Sequence, residues 1–121
     1  MEEEIKSYKD LIVWQKAMSL VIEVYKLTEN FPKTEIFGLT GQMRRCSISI
    51  PSNIAEGRGR GTKKDFVNFL RMSLGSTNEL ETQIEMSKRL FLNRIFNYDL
   101  IDSLIIEILK MLKTMVNRLS C

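Results

Sequence analysis

The sequence predicts an all-α protein, an up-down-up-down bundle of four helices. Three observations carry that prediction. Apolar residues recur at three- and four-residue spacings in four long segments, the period of a helix face. Only two prolines and six glycines interrupt 121 residues, which leaves room for long helices. The segments are joined by short runs of helix-ending residues, and short connections set neighbouring helices antiparallel.

The first helix opens near Asp10, which suits an N-cap, and carries Val13, Trp14, Ala17, Met18, Val21, Val24, Tyr25 and Thr28 on one stripe. It ends by Phe31-Pro32, because the proline ring disfavours helical geometry at the residue before it. Thr34 offers the next cap. The second helix runs from about Glu35 to Glu56, with Leu39, Met43, Cys46, Ile50 and Ile54 as its apolar stripe. Pro51 falls inside it. A mid-helix proline removes a backbone hydrogen bond and costs about 3 kcal/mol in a regular helix. A kink or short break near Ser49 is therefore expected, with division into two helices at Pro51 as the alternative.

Gly57-Arg58-Gly59-Arg60-Gly61 reads as a linker, and Thr62 followed by Asp65 has the form of a capping box with Asp in place of the usual Glu. The third helix starts there. Phe66, Phe69, Leu70, Ser73, Leu74, Thr77, Leu80, Ile84, Ser87 and Phe91 trace its buried stripe through nearly eight turns. Gly75 and Ser76 lie midway and lower helix propensity, by about 1 kcal/mol for the glycine, which close approach of a neighbouring helix would explain. Asn97 or Asp99 caps a fourth helix bearing Ile101, Leu104, Ile105, Ile108, Leu109, Leu112, Met115, Val116 and Leu119. Leu100 and Ile106 lie outside that stripe and point to a further contact such as another subunit, beside the simpler reading of scattered surface aliphatics. Residues 1–9 read as a tail and 10–121 as one bundle domain.

The residue inventory excludes most catalytic chemistry. With no histidine there is no His-based nucleophilic triad and no Glu-x-x-His ligand pair of a di-iron bundle. Gly57 to Lys64 reads GRGRGTKK, which lacks the GxxxxGK[ST] spacing and a preceding strand, so it is not a nucleotide phosphate loop. Glu79, Glu81 and Glu85 have magnesium-binding chemistry but read first as a solvated helix face. No catalytic residue, metal or cofactor is assigned. Cys46 reads as a small apolar packing residue, with a thiol activated by Arg44 or Arg45 as the alternative, and Cys121 as an exposed terminal thiol. The N-terminal MEEEIKSYKD lacks an apolar signal region, and no window is apolar over about 18 residues. A cytoplasmic protein without membrane association is expected.

Charge supplies the functional pointer. Between Arg44 and Arg71 stand seven Lys/Arg and two acids, Glu56 and Asp65, a net +5 within a chain of net +3. Such asymmetry fits an anionic partner, nucleic acid first, because clustered cations gain affinity by releasing counterions from phosphates. A solvated basic face is the plain alternative.

The strings DLIVWQKA (Asp10 to Ala17), YKLTENFPKTEIFGL (Tyr25 to Leu39), QMRRCSISIPSNIAEGRGR (Gln42 to Arg60) and FLRMSLGSTNELETQI (Phe69 to Ile84) carry a family resemblance. The chain resembles the small four-helix-bundle proteins encoded in intervening sequences of bacterial large-subunit ribosomal RNA genes, from roughly Tyr8 to Leu119. More distantly it resembles the accessory variability proteins of diversity-generating retroelements. The resemblance implies a ring-like homopentamer with a basic surface, no enzymatic activity, and a role related to nucleic acid by association. As partners it implies further copies of the chain and, through the distant relatives, a retroelement or RNA-processing protein. FLNRIFNYD (Phe91 to Asp99) departs from the glycine-tyrosine-leucine turn usual in the family, which leaves the end of the third helix open. Cys46 stands where alanine is common.

Two site expectations follow from the residues. Gln42, Arg45, Ser49, Asn53 and Glu56 form a polar stripe on the second helix. In the structural reading Arg45 pairs with Glu79 or Glu81 of the third helix, while Asn53 bonds backbone groups freed by Pro51. In the binding reading Arg44, Arg58, Arg60, Lys63, Lys64 and Arg71 contact RNA or DNA phosphates around a glycine turn, with the third helix's N-terminal donors helping. No aromatic residue interleaves the cluster before Phe66, so base stacking and sequence-specific readout are not indicated. The runner-up is a structural or adaptor ring that binds protein without touching nucleic acid.

Overall fold

The computed structural model describes residues 7–120. Four α-helices account for most of them: α1 (Ile12–Glu29), α2 (Leu39–Gly59), α3 (Lys63–Leu90) and α4 (Asp99–Ser120). Each helix packs on its neighbours in sequence and α4 closes back on α1, with no close backbone approach across the diagonals among the described residues. That is the up-down-up-down bundle the periodicity predicts. No described helix is long and apolar enough to cross a membrane.

The core consists of the predicted stripes with small rotations. Leu20, Val24, Met43, Ile50, Ile54, Leu70, Leu80, Ile108 and Leu112 are sealed from solvent. On α1 the buried face turns toward Leu20 and Leu27, which leaves Met18 and Tyr25 exposed. On α3 Val67 and Gln83 join the buried set, while Phe66 and Leu74 are half-buried against it. Each large aliphatic side chain taken out of water in this way contributes about 1.5–3 kcal/mol.

The ends of the helices differ most from expectation. Asp10 does not cap α1: it closes a 3-10 turn at Tyr8–Asp10, where its carboxylate accepts from the Ser7 amide at 3.2 Å and the Ser7 hydroxyl accepts from the Lys9 amide. That turn packs on α1 and α2, with Tyr8 edge-on to Trp14. Thr34 lies inside a second 3-10 turn, Lys33–Glu35, so α2 starts only at Leu39 after the non-helical Gly38. The α3–α4 connection is held by aromatic contacts: Phe31 of the α1 end meets Phe91 and Phe96, and Phe96 meets Tyr98. Tyr98 shares a 2.6 Å hydrogen bond with Ser87, and Lys88 pairs with Asp102 at 2.8 Å. The Asn97 side chain accepts the Asp99 amide at the start of α4. Cys121 lies outside the described residues.

α2 continues unbroken through Pro51, so the two-helix alternative does not hold. Side chains tie down the turns around the proline. Ser47 donates to the Arg44 carbonyl, Ser49 to Cys46 and Asn53 to Ser49, and from α3 the buried Ser73 hydroxyl donates to the Ile50 carbonyl at 2.9 Å.

Candidate nucleic-acid interface

The run Gly57–Gly61 is not a linker along its whole length. α2 remains helical to Gly59, and the turn into α3 is confined to Arg60–Thr62. Tertiary contact overrides glycine's low helix propensity here. A Cβ on Gly57 would stand 2.6 Å from the Phe69 Cβ, so only glycine lets α3 come this close. Gly61 takes φ +86°, the left-handed conformation that ends a helix, and Thr62 then caps α3 by accepting from the Asp65 amide at 3.1 Å. The close approach expected at Gly75 occurs instead at Gly57 and Ser73, since a Cβ on Gly75 would meet nothing within 4 Å.

This sharp turn presents the basic residues unequally. Arg58, Lys63 and Lys64 are exposed and enter no ion pair among the described residues. Arg58 and Lys63 rim a cleft of about 180 Å³ whose floor includes Phe66 and Leu119. Arg60 is exposed but pairs with Glu56 at 3.0 Å and lies over the Phe69 ring. Arg71 reaches the Ser120 hydroxyl at 3.3 Å. Asp65, in the first turn of α3, opposes an anion at the helix end, so side-chain cations dominate the potential of this surface.

The two adjacent arginines divide their roles in the reverse of the expected way. Arg44 turns toward α1: its Nε donates to Thr28 at 2.8 Å, its guanidinium covers the Tyr25 ring at 4.5 Å, and Glu29 lies 3.6 Å away. It is a helix-packing residue standing apart from Arg58, Lys63 and Lys64. Arg45 is exposed, folds along Gly41, and makes no ion pair with Glu79 or Glu81 among the described residues. A helix rises with about 100° between successive side chains, and that rotation sends Arg44 inward and Arg45 out. Asn53 bonds the Ser49 carbonyl, one turn back in its own helix, and not the Ser47 carbonyl that lacks a partner N–H because of Pro51.

The remaining candidates resolve on burial. Burial pushes the Cys46 thiol up to about 12, with the Glu79 carboxylate adding to the effect, and the thiol donates to the Ser76 carbonyl at 3.1 Å. That environment suits packing and not a reactive thiolate. No three ligating His, Cys, Asp or Glu side chains converge among the described residues. The sequence reading passed over Gln83, which is 7% exposed. Its register between Leu80 and Ser87, both on the buried stripe, was the signal, and its polar type masked it.

Three comparisons bear on this chain. Residues 9–114 match the family model described as 23S rRNA-intervening sequence protein. The fold is similar to a crystal structure of a protein with unknown function from the S23 ribosomal protein family of Bacteroides thetaiotaomicron. The two align with a TM-score of 0.71 at 25% identity, over 87% of this chain and 98% of that one. No curated protein matches the sequence.

Proposed function

Given that the chain belongs to the 23S rRNA-intervening sequence protein family, we propose that it is a non-enzymatic helical bundle whose α2–α3 turn binds nucleic acid with little sequence preference. The observation that supports this most is the set of exposed cations without ion-pair partners among the described residues, Arg58, Lys63 and Lys64, around a turn shaped by the close packing of Gly57 on Phe69, the left-handed Gly61 and the Thr62 cap. Cations that are already paired have little to gain from a phosphate, whereas these three can neutralise phosphates and release counterions. RNA and DNA are equally suited, because the contacts are to backbone charge. The family's name records where its genes reside, which is not a molecular role.

We further propose that the chain assembles with copies of itself, as a pentamer. The support is the aliphatic surface left outside the core: Leu100 and Ile106 on α4 are 54% and 50% exposed, and Ile12 and Ile22 on α1 are 61% and 52% exposed. Repeating a weak basic patch around a ring raises avidity for a strand that spans several copies. The same aliphatic surface favours the second reading, an adaptor ring serving a retroelement or RNA-processing protein without direct nucleic-acid contact.

The test is binding of mixed-sequence RNA and DNA across a salt series, with a variant in which Arg58, Arg60, Lys63 and Lys64 are all alanine. Affinity should fall steeply with salt, and the variant should flatten the slope by about one unit per lost phosphate contact. Absence of binding to either nucleic acid at low salt selects the adaptor reading, and a variant that binds like the parent removes the α2–α3 turn as the interface.

A further inference from the structure

The cleft at the basic turn has an aromatic floor that the order of residues along the chain conceals. Lys63 and Phe66 are three residues apart in the first turns of α3, so helical geometry sets them on one face. Arg58 comes from the last turn of α2 and Leu119 from the last turn of α4, and the cleft of about 180 Å³ lies where these three helix ends meet. Val67 and Leu70 enter the core, whereas Phe66 stays half-buried, packed against the core and also lining the cleft. The Gly57 backbone borders the ring: a Cβ there would stand 3.2 Å from the Phe66 Cδ1.

The lining narrows the chemistry of a ligand. Its other members are Gly57, Gly61 and Thr62, so two cations stand at the rim and the lining contains no carboxylate and no carboxamide. Pockets for drug-sized ligands measure about 300–1,000 Å³, so this cleft has room for one flat ring system and not for a larger cofactor. An aromatic floor beside two cations suits a nucleobase, whose face stacks on the ring while its phosphates meet Arg58 and Lys63. Stacking accepts every base, and without side-chain amides the base edges go unread.

We infer that this cleft seats one unpaired base of a single-stranded nucleic acid, stacked on Phe66 between Arg58 and Lys63. The inference rests on the reading of the turn as a phosphate-binding surface and narrows its ligand to a strand with unstacked bases. A duplex keeps its bases stacked inside and cannot fill the cleft. A surface that met phosphates alone would favour the duplex, whose charge is denser.

The experiment measures binding of the full chain to labelled strands of equal length: a mixed-sequence single strand, an abasic strand with the same phosphates and no bases, and the duplex. At moderate salt the base-bearing strand should bind about fivefold to a hundredfold tighter than the abasic one, and no more weakly than the duplex. Phe66→Leu should bring it down to the abasic affinity, whereas Phe66→Tyr should keep the preference. Leu119→Trp, in the last turn of α4, should fill the cleft and abolish the preference while leaving Phe66 and the cations in place. None of these changes should alter affinity for the abasic strand, and circular dichroism checks that each variant is folded. Equal affinity for the base-bearing and abasic strands, or a preference that survives both Phe66→Leu and Leu119→Trp, overturns the base cleft and leaves the phosphate surface standing. Absence of binding to all three at low salt overturns both.

Discussion

Three side chains test the assignment of roles residue by residue. Arg44→Ala removes the Thr28 hydrogen bond and the stack on Tyr25, and should cost about 1–2 kcal/mol in denaturant unfolding while leaving nucleic-acid affinity unchanged. Lys63→Ala should do the opposite. The two helical glycines Gly57 and Gly75 should also separate. Gly57→Ala drives a methyl into Phe69 and should cost about 1–3 kcal/mol, whereas Gly75→Ala, in open space within α3, should stabilise by about 0.5–1 kcal/mol. Cys46 titrates in the unfolded chain near its ordinary value of 9.0 but in the folded chain only near 12. Stability linked to the neutral thiol is therefore complete below about pH 9 and lost as pH rises toward 12, since the unfolded state sheds its proton first. Subtracting the pH profile of Cys46→Ala from that of the parent isolates the effect, and a flat difference from pH 8 to 11 would contradict the burial argument.

The helix boundaries show how far local signals reach. The Thr62 cap was legible because a hydroxyl three residues before an amide on a new apolar stripe has one favourable arrangement. Thr62→Ala should lower stability by about 1 kcal/mol, measured by thermal or denaturant unfolding. Asp10 carried the same local signal at α1, yet its carboxylate is taken by the Ser7 amide in the preceding 3-10 turn. Pro51 and the glycines after it read as interruptions, but α2 passes through all of them as far as Gly59 because α3 packs along that side. Ser73 bonding to Ile50 and Gly57 touching Phe69 are contacts between residues more than ten positions apart, which no window of sequence contains.

For the molecule as a whole, the surface divides into a basic turn at the α2–α3 junction and exposed aliphatic side chains on α1 and α4. Light scattering of the purified chain should give five chain masses if the exposed aliphatics of α1 and α4 join copies. Ile106→Lys should then lower the mass without unfolding the bundle, because that side chain is half-exposed in one chain. Truncation of the sealed core is a different matter. Ile54→Ala should cost about 2–5 kcal/mol, enough to unfold much of a marginal bundle.

The sequence by itself determined the class, the number and order of the helices, the faces that become core and the concentration of charge near the second turn. Helical periodicity and charge are properties of residues close together in the chain, so a one-dimensional pattern contains them. Only the tertiary structure decided that Arg44 belongs to packing and Arg45 to solvent, that Gly57 and not Gly75 is the point of closest approach, and that Gln83 is buried. Each of those depends on the rotation of one helix against another. A rotation of a few tens of degrees leaves the apolar stripe recognisable while exchanging the neighbours of every side chain at its edge.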